Sequence, residues 1–279
     1  MSDHLPPKPG VTAVLPPDER PAYALGRRQG APLPVAEERR AGMTRAEMAG
    51  IISARRFTLA FQPVVKLADR RPVYHEAFLR LAPLPGGAQL PGGVFAQAAY
   101  GWGLGPALDA AVLDAALSEW ARAGSTPVSV NIAAASLCAP AFLFPAQARI
   151  GGEGAALLLE VRADTPPPDP AAFREGAQAM QDLGVRLCLD GLGAAEGALA
   201  CANLTHWEQM KLDGGVLRAA AAGERGRRLL AALVALATSA GSGAVAKHIE
   251  TLPQAWLAQE AGIRLGQGWL FGAPGKLGA

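Results

Sequence analysis

Five short apolar runs in this chain each end on, or beside, a polar residue able to do chemistry: Pro127–Asn131, Leu157–Glu160, Val185–Asp190, Gln209–Asp213 and Gly243–Lys247. A short apolar run between turn signals reads as a buried strand. Strands that deliver functional groups from their C-terminal ends, with helices between them, are how a (β/α) barrel assembles a site. The delivered groups are Asn131, Glu160, Asp190, Lys211, Asp213 and Lys247, a set suited to phosphate or metal chemistry.

The stretches between these runs support the same architecture. Helical patterns at 107–123, 171–183, 223–240 and 253–261 each precede a strand pattern, the last at 263–266. Regular alternation of this kind argues for a parallel sheet with helices outside, open or closed. Two further strands are expected at 57–64 and 72–81, joined through Ala68-Asp69-Arg70-Arg71. So short a link makes them antiparallel, because a parallel pair needs a longer crossover. Thr44 with Glu47 forms a capping-box pattern for a helix ending near Ala54. Residues 1–42, with prolines at 6, 7, 9, 16, 17, 21, 32 and 34, are expected to be a disordered tail or linker ahead of a barrel domain at 43–279.

A net charge of +2 argues against broad nucleic-acid binding. Cys138, Cys188 and Cys201 form no CxxC pair and are expected to be reduced thiols in a cytoplasmic protein. The long uncharged stretch 229–246 is interrupted by Thr238, Ser239, Gly241, Ser242 and Gly243. It therefore reads as a helix followed by a strand, not a membrane span.

Several short motifs occur in order along the chain: Phe61-Gln62-Pro63-Val64, His75-Glu76-Ala77-Phe78-Leu79-Arg80, Val128-Ser129-Val130-Asn131, Leu159-Glu160-Val161, Leu189-Asp190-Gly191, Met210-Lys211-Leu212-Asp213, Glu250-Thr251 and Gln267-Gly268-Trp269-Leu270. Their order and spacing over roughly 45–274 resemble the bacterial EAL domain. The resemblance implies a (β/α)8 TIM-like barrel with an antiparallel first strand and a cyclic di-GMP ligand. In active members it also implies two divalent metals that activate water. It makes Glu76, Asn131, Glu160 and Asp190 the ligands of a first metal, magnesium or manganese. Arg80, Phe78, Lys211, Asp213, Lys247 and Gln267 become ligand-contacting positions, and Lys211 and Glu250 remnants of the catalytic set.

Two departures outweigh these matches. Active members of the family carry a second consecutive aspartate where this chain has Gly191, and a glutamate where it has Lys247. The lid that follows has become Leu192-Gly193-Ala194-Ala195 and has lost its hydroxyl. An intact inner set resembles about −4 of charge, which two divalent cations neutralise; here Glu76, Glu160 and Asp190 against Lys211 and Lys247 leave about −1. An ammonium about 4 Å from a second cation opposes it by about 4 kcal/mol at an effective dielectric near 20, roughly three decades of affinity. The chain is therefore expected to hold one ion at most, to need none, and not to turn over. Lys247 would stand in for a metal between Glu160 and Asp190.

The functional reading that follows is a catalytically inactive cyclic di-GMP receptor that relays occupancy to an unidentified protein partner. A protein-interaction module without nucleotide, and a residual metal-dependent phosphodiesterase, stand as alternatives. Homodimerisation stays open because the lid has diverged. Asn131, Asp190 and Asp213 also have a plainer role open to them, capping the helices or turns after their strands.

Overall fold

The computed structural model describes residues 43–82, 90–124 and 126–278, so the expected tail at 1–42 lies outside the described residues. Eight strands close into a barrel in sequence order. They are β1 (Phe57–Lys66), β2 (Pro72–Leu81), β3 (Val128–Ala133), β4 (Leu157–Arg162), β5 (Arg186–Leu192), β6 (Gln209–Leu212), β7 (Gly243–Ala246) and β8 (Leu265–Gln267). β1 runs antiparallel to both β2 and β8, and every other neighbouring pair is parallel. The antiparallel opening inferred from the short 68–71 link is thus present.

The helices are α1 (Arg45–Ser53), α2 (Gly92–Gly101), α3 (Gly105–Ala123), α4 (Pro140–Ile150), α5 (Pro170–Asp182), α6 (Glu196–Cys201), α7 (Gly214–Ala222), α8 (Glu224–Ser239) and α9 (Leu252–Glu260). α1 carries the expected reciprocal cap: Thr44 N–H donates to Glu47 at 2.7 Å and Glu47 N–H donates back to Thr44 Oγ1 at 3.3 Å. α5 starts on Asp169, just ahead of Pro170, and the Asp169 carboxylate accepts from the backbone amides of Ala171 and Ala172. α2, α4, α6 and α7 were not legible as helices. Glycines open α2 and α7, α6 is short, and α4 holds Pro145. Trp102, between Gly101 and Gly103, ends α2 and packs on the core.

Two apolar layers build the core. The larger lies between barrel and helices, with Phe95, Leu113, Phe142, Phe173 and Trp207 buried there. β4 is buried along nearly its whole length, as expected for a parallel strand covered on both faces. The smaller layer plugs the barrel: Val64, Tyr74, Leu158, Cys188 and Val245, all fully or almost fully buried. A polar layer sits directly above this plug.

One buried carboxyl fixes the frame around β3. Asp109 on α3 accepts from Tyr100 Oη at 2.6 Å, Ser136 Oγ at 2.6 Å and Ala133 N–H at 3.1 Å. It thereby ties α2 and α3 to the turn after β3, two residues beyond Asn131. Burial pushes its pKa from 3.8 up to about 6, against the pull of those donors and of Arg162. The folded protein therefore holds this proton more tightly than the unfolded chain. The stabilisation from that group is complete below pH 3.8 and lost as pH rises through about 6. Asp109→Asn should remove about 3 kcal/mol of pH-dependent change from the unfolding free energy measured by urea denaturation across that window; an unchanged pH dependence would locate the proton elsewhere.

Candidate functional site

The polar layer gathers at the C-terminal mouth of the barrel, where consecutive strands supply one inward residue each. Glu76 comes from β2, Asn131 from β3, Glu160 from β4, Asp190 from β5, Lys211 from β6 and Gln267 from β8, with Lys247 just beyond β7. Register aligns them, since Asn131 pairs with Glu160 and Asp190 with Lys211.

Lys211 is the centre of this layer. Its side chain is fully buried, and Nζ donates to Glu76 Oε2 at 2.6 Å and to both Glu160 oxygens at 2.6 Å. Gln267 Oε1 lies 3.2 Å away, and the Tyr74 ring centroid lies 5.8 Å below. Burial works against the ammonium, but Glu160 and Glu76 together raise its pKa well above 10.5. Glu76 also accepts from Asn131 Nδ2 at 2.6 Å and Gln267 Nε2 at 2.8 Å. Burial would lift its carboxyl, yet Lys211, the Asn131 hydrogen bond and the charge of Lys247 hold it below the ordinary value. Burial and the neighbouring Glu76 carboxylate push Glu160 the other way, up to about 7.

Lys247 forms a separate ion pair with Asp190, the two side chains 18% and 12% exposed. Burial opposes both charges, but each stabilises the other: Lys247 is raised and Asp190 lowered from their ordinary values. The expectation that Lys247 would bridge Glu160 and Asp190 needs correcting. Glu160 is taken by Lys211 and Ser129, and Lys247 serves Asp190.

Other positions lie outside this cluster. Asp213 caps α7, accepting from Gly215 N–H at 2.7 Å, the plainer role foreseen for it. Asn131 and Asp190 cap nothing; Ala133 and Ala195 hold those places. Glu250 is exposed at the start of α9. Arg80, four residues past Glu76, is exposed at the rim. Its guanidinium donates to the Leu79 carbonyl at 3.1 Å and stands 5.9 Å from the Phe78 ring centroid, a cation–π distance. His75 bonds Thr126 at 2.8 Å. His248 adopts a left-handed φ of 59° and packs on Gly214, where a Cβ would lie 2.0 Å from its Nδ1.

Three supporting residues were missed in the sequence. Ser129 Oγ donates to Glu160 at 2.6 Å, Gln62 Nε2 to the Gly272 carbonyl at 2.9 Å, and Tyr74 Oη to Gln209 at 2.9 Å. Alternation along β3 puts Ser129 on the face of Asn131, a signal that was available.

The oxygen donors suit a hard divalent ion, but both oxygens of Glu76 and of Glu160, and one of Asp190, already receive a proton donor. Among the described residues no group of three or more His, Cys, Asp or Glu is arranged to hold a metal. As arranged, the residues do not fit a metal pair. Gly191 sits at φ 90°, where β5 slips one residue against β6, a glycine bulge. Position 191 therefore holds a backbone conformation that an L-residue rarely adopts.

Comparison with known proteins decides the family. The family model of the EAL domain matches residues 44–274. The chain belongs to the EAL domain family. The uncharacterized protein Rv1357c of Mycobacterium tuberculosis is 32% identical over 231 residues, covering 77% of this chain and 74% of that one. Among solved structures the EAL fold recurs in the phosphodiesterase PaMucR in complex with c-di-GMP, with a TM-score of 0.73 and 23% identity over 83% of this chain and 97% of that one. It recurs also in the FimX EAL domain of Xanthomonas citri in complex with c-diGMP, with a TM-score of 0.72 and 22% identity over 88% and 98%. Among the described residues of this EAL protein, no helix is long and apolar enough to cross a membrane.

Two substitutions probe the layer. Lys211→Met leaves Glu76 and Glu160 buried without their cation and should cost about 3–5 kcal/mol in chemical denaturation; a loss below about 1 kcal/mol would show that water, not Lys211, supports the pair. Gly191→Asp should cost about 1–2 kcal/mol from the left-handed backbone alone, read as a lower urea midpoint with an unchanged m-value.

Proposed function

We propose that this EAL domain binds cyclic di-GMP without cutting it and passes occupancy to a protein partner, in the cytoplasm. The observation that carries the reading is the Lys247–Asp190 ion pair. A two-metal hydrolase uses carboxylates to hold its ions and to depress the pKa of bound water. Here Asp190 is engaged by an ammonium from within the chain, and Gly191 supplies no oxygen. Binding on this reading needs no metal. The set Glu76, Asn131, Glu160 and Asp190 would accept one magnesium or manganese ion at most, and only by displacing donors already in place. The cyclic di-GMP complexes of PaMucR and FimX support the ligand class. Residues 1–42 are, on this reading, a tether or docking segment.

One observation favours a second reading, an interaction module without nucleotide. Lys211 and Lys247 are both matched by internal carboxylates, and Arg80 leans on Phe78 and the Leu79 carbonyl. Calorimetric titration of cyclic di-GMP, with and without a chelator, separates the two. Saturable binding that survives chelation is expected; no heat at all would favour the interaction module, and binding abolished by chelation would refute metal independence. Incubation with magnesium or manganese should leave the cyclic dinucleotide intact. Appearance of the linear dinucleotide would overturn the non-catalytic reading.

A further inference from the structure

Lys211 and Lys247 are both engaged by carboxylates of the buried layer, and drawing either away would leave an uncompensated buried charge. A phosphodiester at this mouth therefore calls for a cation that no acid already holds. Arg218 on α7 is such a group. It follows Asp213, the residue after β6, by five positions, and its exposed side chain reaches back toward the helix start, as helical side chains do. Nη2 lies 3.6 Å from the point that a Cβ on Gly215 would occupy, over the first turn of α7 and so at the C-terminal mouth of the barrel. Among the described residues it makes no hydrogen bond or ion pair. Asp213, at the same turn, gives its Oδ1 to the Gly215 amide.

The neighbours of this guanidinium add like charge. Burial, Lys247 and Arg218 together push the His248 imidazole below its ordinary value, against the pull of Asp213 and Glu76, and the buried His248 Nδ1 accepts from neither cation. An unmatched guanidinium beside an ammonium costs stability, and a fold keeps such a cost chiefly where a ligand relieves it. Topology indicates which ligand. Eight strands closed in sequence order put β6 four strands from β2 in either direction, so Arg218 stands across the mouth from Arg80, which lies on β2 beyond Glu76. Cyclic di-GMP is a ring closed by two phosphodiesters, and guanidiniums on opposite sides of the mouth match that pair. We propose that Arg218 is a phosphodiester-binding residue of this site, meeting the ligand phosphate that faces away from Arg80 with its paired N–H donors. The assignment rests on the cyclic di-GMP reading above.

The test is calorimetric titration of cyclic di-GMP into the full chain and into Arg218→Ala, Arg218→Lys and Arg122→Ala. Arg122 is the control: it lies in the last turn of α3, which leads into the start of β3 and so sits at the opposite end of the barrel. Arg218→Ala should weaken binding about 10- to 100-fold, the range of a hydrogen bond to a charged group. Its thermal midpoint should be unchanged or raised, because alanine favours the helix and no native partner is lost. Arg218→Lys, which keeps the charge without the paired donors, should recover part of the loss. Arg122→Ala should stay within about twofold of wild type, and added salt should shrink the gap between wild type and Arg218→Ala. Weaker binding with a lowered midpoint would mark a structural role, an equal loss in Arg122→Ala an effect of net charge, and a salt-independent loss a contact to guanine. Each of these overturns the assignment, as does unchanged affinity in Arg218→Ala, while the cyclic di-GMP reading stands. Absence of binding by the wild type removes that reading, and this assignment with it.

Discussion

Burying an ammonium inside a barrel is unfavourable unless partners surround it, and Lys211 satisfies that condition with two glutamates and a glutamine drawn from three other strands. The cost of desolvation applies equally to the glutamates, so none of the charges is stable there without the others. The interaction consequently ties β2, β4, β6 and β8 at one level. Beneath it the plug of Val64, Tyr74, Leu158, Cys188 and Val245 excludes water, which strengthens every pairing above. The Tyr74 ring, with its hydroxyl bonded to Gln209, joins the apolar floor to the charged layer.

The end of β5 departs from this regular delivery. The strand bulges at Gly191, so Asp190 faces Lys211 while Leu192, and not Gly191, resumes the pairing. A glycine in a left-handed conformation is at home in such a bulge; an aspartate would carry both a backbone penalty and an additional carboxylate into a layer already near charge balance. Lys247 completes that balance from β7. Glu76, Glu160 and Asp190 against Lys211 and Lys247 leave a formal charge of −1, and the push of burial on Glu160, up to about 7, lessens it further near neutrality.

Much of this was legible because strand ends and side-chain alternation are written in the order of residues. The runs ending at Asn131, Glu160, Asp190 and Lys247 became strands that deliver those groups to one mouth. The short link at 68–71 gave the antiparallel pair. What stayed hidden depended on neighbours far apart in the chain. Lys247 and Asp190 are separated by 57 positions, and no local pattern says which carboxylate an ammonium will choose. Asp109 looks like an ordinary polar residue on an amphipathic helix until Tyr100, Ala133 and Ser136 close around it. Pro145 obscured α4 because a proline within a helix usually argues against one.

Competition for oxygen links this geometry to the absence of turnover proposed for it. A divalent ion entering beside Glu160 would have to displace Lys211, and one entering beside Asp190 would have to displace Lys247. In either case an ammonium is left in a low-dielectric layer with its carboxylate withdrawn, a state whose cost grows as water is excluded. Hard cations gain most from several carboxylates held open together, whereas this layer is closed by its own lysines. A nucleotide phosphate faces no such contest at the outer rim. On the reading proposed above it can be met by exposed donors such as Arg80 without disturbing the buried pairs, so recognition and hydrolysis draw on different layers of the same barrel, and recognition survives without the other.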